Sequence, residues 1–373
     1  MNDQIWYIPV DTVYEYMKDT FIALGTPEKD AKTCAKVLIE ADIRGIESHG
    51  VGRLYYYYVR IKAGQHFTET KYEIVKEGKT TAVIDGHHGM GHVIAYDAMN
   101  LAIKKAKEYG MGAVAVRNST HFGIAGYYTN MATDEGLIGL CCTNARPAIA
   151  PTFSVEPMLG TNPLSFAMPS DEPFPFSLDC ATSIIQRGKV EIADRAQKPL
   201  PENLVIGPEG KSLTNATEIL KLMVDKQAAL LPLGGMGEEY SGYKGYGYAT
   251  VVEIFSAAFT GGTFLKALSG LDKDGNKVHF RVGHFFMAID PEEFMGLDTF
   301  KKTTGDILRE LRAAQKAPGE ERIWTAGEKE YYSRDKVENK GVPINTGLAK
   351  QLLTIKKELN LTKYDFPFDD LEI

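Results

Sequence analysis

Cysteine is scarce: Cys34, Cys141, Cys142 and Cys180 are the only thiols in 373 residues. They make no C-x-x-C pair and no zinc-like spacing, and so few in so long a chain do not build the disulfide framework of a small secreted domain. A reducing, cytoplasmic setting is the expectation. No run approaches 18 consecutive apolar residues, and residues 1–10 lack the basic and apolar segments of a secretory leader. An excess of positive charge is missing too. The 42 Lys and Arg against 49 Asp and Glu leave a net charge of −7, a surface that repels phosphate backbones and anionic headgroups, so neither nucleic acid nor membrane is expected as a partner. Walker A, H-E-x-x-H and G-x-S-x-G motifs are absent, which removes the usual carriers of P-loop, zincin and α/β-hydrolase chemistry.

What remains is an ordinary folded composition, 44% apolar and 24% charged, in a chain long enough for two or three domains. Two helices open it. Asp11 can cap a stripe of Val13, Met17, Phe21 and Leu24 that Gly25 ends, and Thr26-Pro27 starts a second stripe of Ala31, Cys34, Val37, Leu38 and Ala41 that Gly45 ends. After Ser48-His49-Gly50, a third helical pattern runs through Leu54, Tyr57, Tyr58 and Ile61 to Gly64, its tyrosines covering most of the circumference. The period then changes. Strands are expected at 72–75, 80–84, 113–116, 137–142, 163–167, 176–179 and 278–289, with helices at 93–109, 125–134, 184–193, 246–259, 299–314 and 346–358. Such alternation indicates an α/β fold. Residues 195–230, polar and proline-bearing, read as an excursion over the surface.

A dinucleotide fingerprint is the natural search among 36 glycines. Gly110-x-Gly112-x-x-Ala115 is the nearest match, but it follows a helix and precedes a strand, the reverse of what a Rossmann phosphate loop requires. The cluster His87, His88 and His92 suggests a metal-dependent hydrolase. No acidic or cysteine ligand accompanies it, and a polar turn opening a helix accounts for it equally well. Ser48-His49-Gly50-Val51-Gly52-Arg53 carries more. His49 and Arg53 stand four apart, so one helical face joins a titratable imidazole to a cation that can fork a carboxylate. That pair suits a 2-oxo or 2-hydroxy acid, with Arg53 on the carboxylate and His49 exchanging a proton with the neighbouring oxygen. A capping Ser48, a buried His49 and a solvated Arg53 form the plain alternative.

His121, in Arg117-Asn118-Ser119-Thr120-His121-Phe122-Gly123, follows a strand and is a second candidate acid/base; a histidine bonded to loop backbone is its structural alternative. Thr161 and Asn162, and likewise Asp179 with Cys180-Ala181-Thr182, sit at strand ends, where Asp179 can orient an imidazole or bind ribose and where simple turn chemistry also fits. Glycines 234, 235, 237, 242, 245 and 247 surround Lys244 just before an apolar helix, an arrangement that suits a phosphate as well as a flexible loop.

Taken together, these segments resemble the malate/L-lactate dehydrogenase family that lies outside the Rossmann dehydrogenases and includes L-sulfolactate dehydrogenase, ureidoglycolate dehydrogenase and diketogulonate reductase. The resemblance rests on six blocks in family order: Ala41-Asp42-Ile43-Arg44-Gly45 with Ser48-His49-Gly50 and Arg53; Ser119-Thr120-His121-Phe122-Gly123; Gly160-Thr161-Asn162-Pro163-Leu164; Asp179-Cys180-Ala181-Thr182-Ser183; Arg187-Gly188-Lys189; and Gly242-Tyr243-Lys244-Gly245-Tyr246-Gly247. Two departures stand out: Ala326-Gly327 replaces a common proline-glycine turn, and residues 195–230 match poorly. The resemblance implies a non-Rossmann, L-sulfolactate-dehydrogenase-like α/β fold. In it, residues 1–75 and 330–373 form a mainly helical domain, and residues 76–329 form a cofactor- and substrate-binding region divisible at 120/121.

It also implies a homodimeric NAD- or NADP-dependent 2-hydroxyacid dehydrogenase that needs no metal, with malate/oxaloacetate the first substrate pair. The acid/base is His49 or His121, with His49 favoured by Arg53 one turn away, and Asp179 assists. Ser48, Arg53, Thr161 and Asn162 contact substrate, while Asp179, Cys180, Ala181, Lys244, Gly245 and the Ala317-Pro318-Gly319 turn contact cofactor. Another 2-oxo acid or a cyclic imine acid on the same scaffold is the nearest alternative, and a cofactor-binding protein without catalysis the next. Binding small anions on an acidic protein requires a local positive field, expected from Arg53, Arg117, Arg146, Arg187, Lys189 and Lys244.

Overall fold

The structure is a computed structural model that describes residues 4–372; residues 1–3 of the segment read for a leader lie outside the described residues. In chain order the elements are β1 (Ile5–Ile8), α1 (Val10–Ala23), α2 (Glu28–Ile43), α3 (Leu54–Lys62), β2 (Glu73–Glu77), β3 (Thr81–Asp85), α4 (Gly91–Tyr109), β4 (Met111–Ser119), α5 (Ala125–Thr133), β5 (Ile138–Thr143), β6 (Leu164–Met168) and β7 (Phe176–Cys180). They continue with α6 (Arg187–Arg195), β8 (Val205–Ile206), α7 (Ala216–Val224), β9 (Ala229–Leu230), α8 (Gly242–Ala257), β10 (Val282–Ile289), α9 (Leu297–Ala313), α10 (Glu328–Lys340), β11 (Val342–Asn345) and α11 (Thr346–Glu358). The first helix begins one residue before the expected Asp11 cap, on Pro9.

Seven strands form one mixed sheet in the order β2-β3-β4-β10-β5-β6-β7. Only β3 and β4 run parallel, joined through α4, and every other neighbour is antiparallel. The α/β reading therefore holds. The central strand is β10, which arrives long after β4 and β5 and inserts between them. Its residues are buried along nearly their whole length, as a strand covered on both faces requires. Helices α4 and α5 cover one face, where Ile94, Ala98, Met99 and Ala102 pack on Val114, Val116 and Phe286. Helix α8 covers the other, through Val252 against Ala115, Cys142 and Phe285.

A second core joins the two ends of the chain. Strand β1 pairs antiparallel with β11, and Met17, Phe21, Leu38, Leu54 and Tyr57 pack with Ile344, Leu352, Phe366 and Phe368. Met90 and Val93, at the start of α4, belong to the same cluster and tie it to the sheet. Residues 195–230 depart from the expected surface excursion. They hold β8, α7 and β9, and with Val190 they bury Leu200, Val205, Ala216, Ile219, Ala228 and Leu230 in a small core of their own. The apolar residues responsible are widely spaced, so neither the helical nor the strand period stands out along that stretch.

Candidate functional site

Helix α2 ends where Gly45 takes φ +73°, and the chain then folds back on it. The carboxyl of Asp42, buried in the last turn of α2, accepts the Val51 N–H at 2.7 Å. It also packs directly on Gly50, where a Cβ would lie 1.9 Å from Asp42 Oδ1. Burial pushes the Asp42 carboxyl well above the usual carboxylate range. This clasp holds the Ser48–His49 segment at the site. Ser48 Oγ lies 2.9 Å from His49 Nδ1, and Arg53 Nε donates to the Ser48 carbonyl at 2.8 Å.

From the other side, β4 delivers residues 119–123. Thr120 Oγ1 accepts the Gly91 N–H at 2.8 Å and donates to the Gly89 carbonyl at 3.0 Å, which fixes the loop to the start of α4. The two candidate histidines meet here. Their rings stack at 5.6 Å between centroids and 21° between planes. Helix α3 supplies a third group: the Tyr57 hydroxyl lies 2.5 Å from His121 Nδ1, and the Gly123 backbone nitrogen lies 3.3 Å from the same atom. With Nδ1 so occupied, Nε2 is the nitrogen left for other partners.

Electrostatics keep both imidazoles neutral. Burial, then the Arg53 charge, pulls His49 down to about 4. Burial, then the charges of His49 and Arg53, holds His121 well below its usual value. Both rings remain only partly covered, so a ligand can reach them.

The other expected residues fall into separate groups. Asp179, at the end of β7, accepts the Gly126 N–H at 2.7 Å at the start of α5, and burial raises it to about 6. Its hydrogen bond goes to that backbone group and to neither imidazole. It lines a recess of about 30 Å³, room for a water, with Arg44, Ile124, Gly126 and Glu330. Cys180 and Ala181 follow it, partly exposed. Thr161 is partly exposed, whereas Asn162 is fully buried, its amide donating to the Ala249 carbonyl at 3.0 Å and to Glu253 at 2.8 Å. Its donors tie the β6 entry to α8 and do not face open space. Lys244 is exposed on the first turn of α8. Gly245 is buried, where a Cβ would lie 2.2 Å from the Leu233 carbonyl oxygen, so its lack of a side chain lets the glycine loop close on the helix. Ala317, Pro318 and Gly319 form an exposed turn between α9 and α10.

Of the expected cations, Arg117 is bound to Asp85 at 2.8 Å and Arg187 to Glu191 at 2.9 Å. Lys189 and Lys244 are exposed. Arg146, in the loop after β5, is exposed. The histidines considered for a metal diverge: His87 faces Asp85 and Glu73, His88 bonds the Phe280 carbonyl, and His92 is fully buried beside Tyr57. Among the described residues no three metal-type ligands converge.

Sequence reasoning singled out neither Tyr57 as the partner of His121 nor Arg60. The clue lay in spacing, because 53 and 57 stand four apart, as do 56 and 60; His49 lies in the turn before Gly50, whose backbone is not helical, so the single helical face expected for His49 and Arg53 does not form.

Known proteins share this sequence and this fold. Residues 8–353 match the malate/L-lactate dehydrogenase family. Malate dehydrogenase of Pyrococcus horikoshii is 42% identical over 95% of this chain and 96% of its own length. L-sulfolactate dehydrogenase of Methanocaldococcus jannaschii is 40% identical over 93% and 96%. The crystal structure of malate dehydrogenase from Entamoeba histolytica superposes with a TM-score of 0.93 at 41% identity, covering 98% of this chain and 100% of that one. The chain belongs to the malate/L-lactate dehydrogenase family.

Proposed function

We propose that the protein transfers a hydride between a nicotinamide cofactor, NAD or NADP, and C2 of a small 2-hydroxy or 2-oxo acid, (S)-malate/oxaloacetate first. The observation that carries this reading is the stack of His49 on His121 beside the Arg53 guanidinium. Among the described residues Arg53 spends only its Nε, on the Ser48 carbonyl, and its fork matches the C1 carboxylate of such an acid. His121 then exchanges the hydroxyl proton through Nε2, whose lone pair is free in the tautomer where Nδ1–H donates to the Tyr57 hydroxyl oxygen. We prefer it to His49 because the Tyr57 hydroxyl holds its Nδ1, while the hydrogen bond of His49 is to the adjacent Ser48 hydroxyl. Ser48 and Thr161 complete the substrate contacts.

The residues present suit a dinucleotide. Lys244 stands exposed on the first turn of the 16-residue α8, where helix N–H groups and a free cation favour a diphosphate. Asp179, Cys180, Ala181, Gly245 and the Ala317-Pro318-Gly319 turn provide the remaining contacts. The nicotinamide supplies or accepts the hydride, and the chain's own part is to orient the acid and move one proton.

No helix among the described residues is long and apolar enough to cross a membrane; we place the enzyme in the cytoplasm on its free thiols. We also infer a homodimer. Tyr248, Val251, Ile254 and Phe259 recur at helical spacing on one side of α8 and its extension and are 58%, 45%, 52% and 56% exposed, an apolar stripe suited to the same stripe of a second copy. Light scattering should report a dimer for the native protein and a monomer for Ile254→Glu.

The catalytic reading is tested by mixing the protein with NADH or NADPH and oxaloacetate, pyruvate, sulfopyruvate or piperideine carboxylate. Oxidation is expected, fastest with oxaloacetate, and its absence with all four would refute the proposal.

A further inference from the structure

Six of the eight histidines form one row with the site already described. From His121, whose ring stands 5.8 Å from that of Tyr57, the row passes to His92, 4.7 Å from the Tyr57 ring, and to His66, 6.3 Å from it. His66 meets Phe280 edge-on at 5.9 Å. The residue before Phe280 is His279, which stacks on His88 at 4.9 Å and 17°. His49, stacked on His121, is the sixth. The row starts in the site and ends outside it: His92 and His66 are 0% and 3% exposed, whereas His88 and His279 are both partly exposed. Two hydrogen bonds hold the outer half together. The Gln65 amide donates to the Val278 carbonyl at 3.2 Å, and the Phe67 N–H donates to the His88 carbonyl at 2.9 Å.

The inner members of the row are polar groups without polar neighbours. Both ring nitrogens of His66, both of His92 and Nδ1 of His279 are buried with no hydrogen-bond partner among the described residues. Whatever its tautomer, a neutral imidazole carries one N–H and one lone pair, and protein interiors satisfy such groups with protein atoms or ordered water. Two rings against one tyrosine, with four open nitrogens between them, therefore call for water. Burial, then the Arg60 charge, holds His66 near 3, and burial, then the His66 charge, does the same for His92. Each ring is thus neutral, able to accept a proton at one nitrogen as it gives one up at the other.

We propose that Tyr57, His92, His66 and His279, joined by ordered water, form a proton conduit from Nδ1 of His121 to the protein surface at the His88–His279 stack. The inference rests on the dehydrogenase reading for the source of the proton and adds the route by which it leaves. In hydroxy-acid oxidation the hydride goes from C2 to the nicotinamide and the hydroxyl proton goes to His121 Nε2. The proton on His121 Nδ1 passes to the Tyr57 oxygen as the Tyr57 hydroxyl proton moves to the first water. Each water and imidazole beyond hands on one proton, until one leaves at the surface. His121 ends neutral with its proton on Nε2, so no imidazolium persists beside the Arg53 charge; reduction runs the row in reverse. The route lets the proton reach solvent while acid and cofactor still fill the site.

The test follows a single turnover of malate oxidation in His66→Gln and His92→Gln, with a pH indicator reporting the released proton and nicotinamide absorbance reporting the hydride. Glutamine keeps a donor and an acceptor for water but does not exchange one for the other. In the native enzyme the proton should appear together with the reduced nicotinamide, before the oxo acid leaves. In each variant it should lag the nicotinamide by about tenfold or more in rate and follow product release, with KM for malate nearly unchanged. A native proton that lags, or a variant proton that keeps step with the nicotinamide at whatever rate, overturns the proposal. A measurement without turnover separates it from the dehydrogenase reading. By NMR on protein with nitrogen-labelled histidine, the ring N–H groups of His66 and His92 should exchange rapidly with water in the native protein. If malate is not oxidised but these groups exchange fast, the conduit stands and the dehydrogenase reading falls; the slow exchange of a dry core refutes the conduit.

Discussion

His121 and His284 lie a few ångströms from the same phenylalanine and have opposite fates. His284, in the central strand β10, is fully buried, with Nδ1 2.7 Å from Thr143 Oγ1 and Nε2 2.7 Å from Ser119 Oγ. Its ring lies flat on Phe122 at 4.5 Å. Both nitrogens are therefore matched, and burial holds the ring neutral, near 3. Among the described residues His121 is matched only at Nδ1, and its ring is stacked on a second imidazole that is itself only partly covered. Low pKa values are common to both, so titration does not separate the structural histidine from the functional one. The difference is the unused nitrogen, together with an arginine whose fork is free beside it.

The widest contrast should come from making the same change at both places. His121→Asn is expected to cut kcat by about 10²- to 10⁴-fold, the range for a lost general acid/base, with the melting temperature nearly unchanged. His284→Asn should do the reverse. An amide cannot reach both Ser119 and Thr143, and a buried hydroxyl left without a partner costs on the order of 1–3 kcal/mol, so the melting temperature should fall while KM for the oxo acid holds. Steady-state kinetics and thermal melts on the two variants check this. An active His121→Asn would return the acid/base role to His49.

A smaller effect is expected one layer back. Tyr57→Phe keeps the ring that packs on Phe21 and His92 and removes only the hydroxyl beside His121 Nδ1. Loss of that restraint should lower kcat about tenfold at constant KM and stability. If kcat is unchanged, Tyr57 is a packing residue and does not orient His121.

Much of this could be read from the residues. Helix α11 occupies the expected 346–358, and Gly25 and Gly45 both take the positive φ expected of helix-ending glycines. Neighbouring blocks at 48–53 and 119–123 pointed to the two histidines. What stayed hidden was non-local. Nothing in the alternation of residues 282–289 says that β10 inserts between β4 and β5, since period reports a strand's faces and not its partners. Asn162 looked like a ligand at a strand end because its sequence context is that of a turn, while its burial against Glu253 on α8 depends on an element some 90 residues away. Arg117 looked like a free cation until the fold set it on Asp85, 32 residues earlier.

The finest test of the contrast is the pH profile, because Arg53 acts on one histidine site and does not contribute to the shift at the other. In the oxidation direction the base must be neutral to accept the hydroxyl proton, so kcat/KM falls as pH drops through its pKa. An unperturbed histidine would bend that profile near 6.5. Burial and then the charges of His49 and Arg53 hold His121 well below that, so hydroxy-acid oxidation by the native enzyme should stay level through pH 6.5 and fall only in more acidic buffer. Arg53→Gln removes one of the depressing charges and leaves burial in place. Its residual activity should therefore bend at a higher pH than the native profile, still short of 6.5, on top of the loss in KM from the missing carboxylate clamp. His284, whose shift has no arginine contribution, gives no such response, so a bend that stays put in Arg53→Gln would mean that the titrating base is not the histidine beside Arg53.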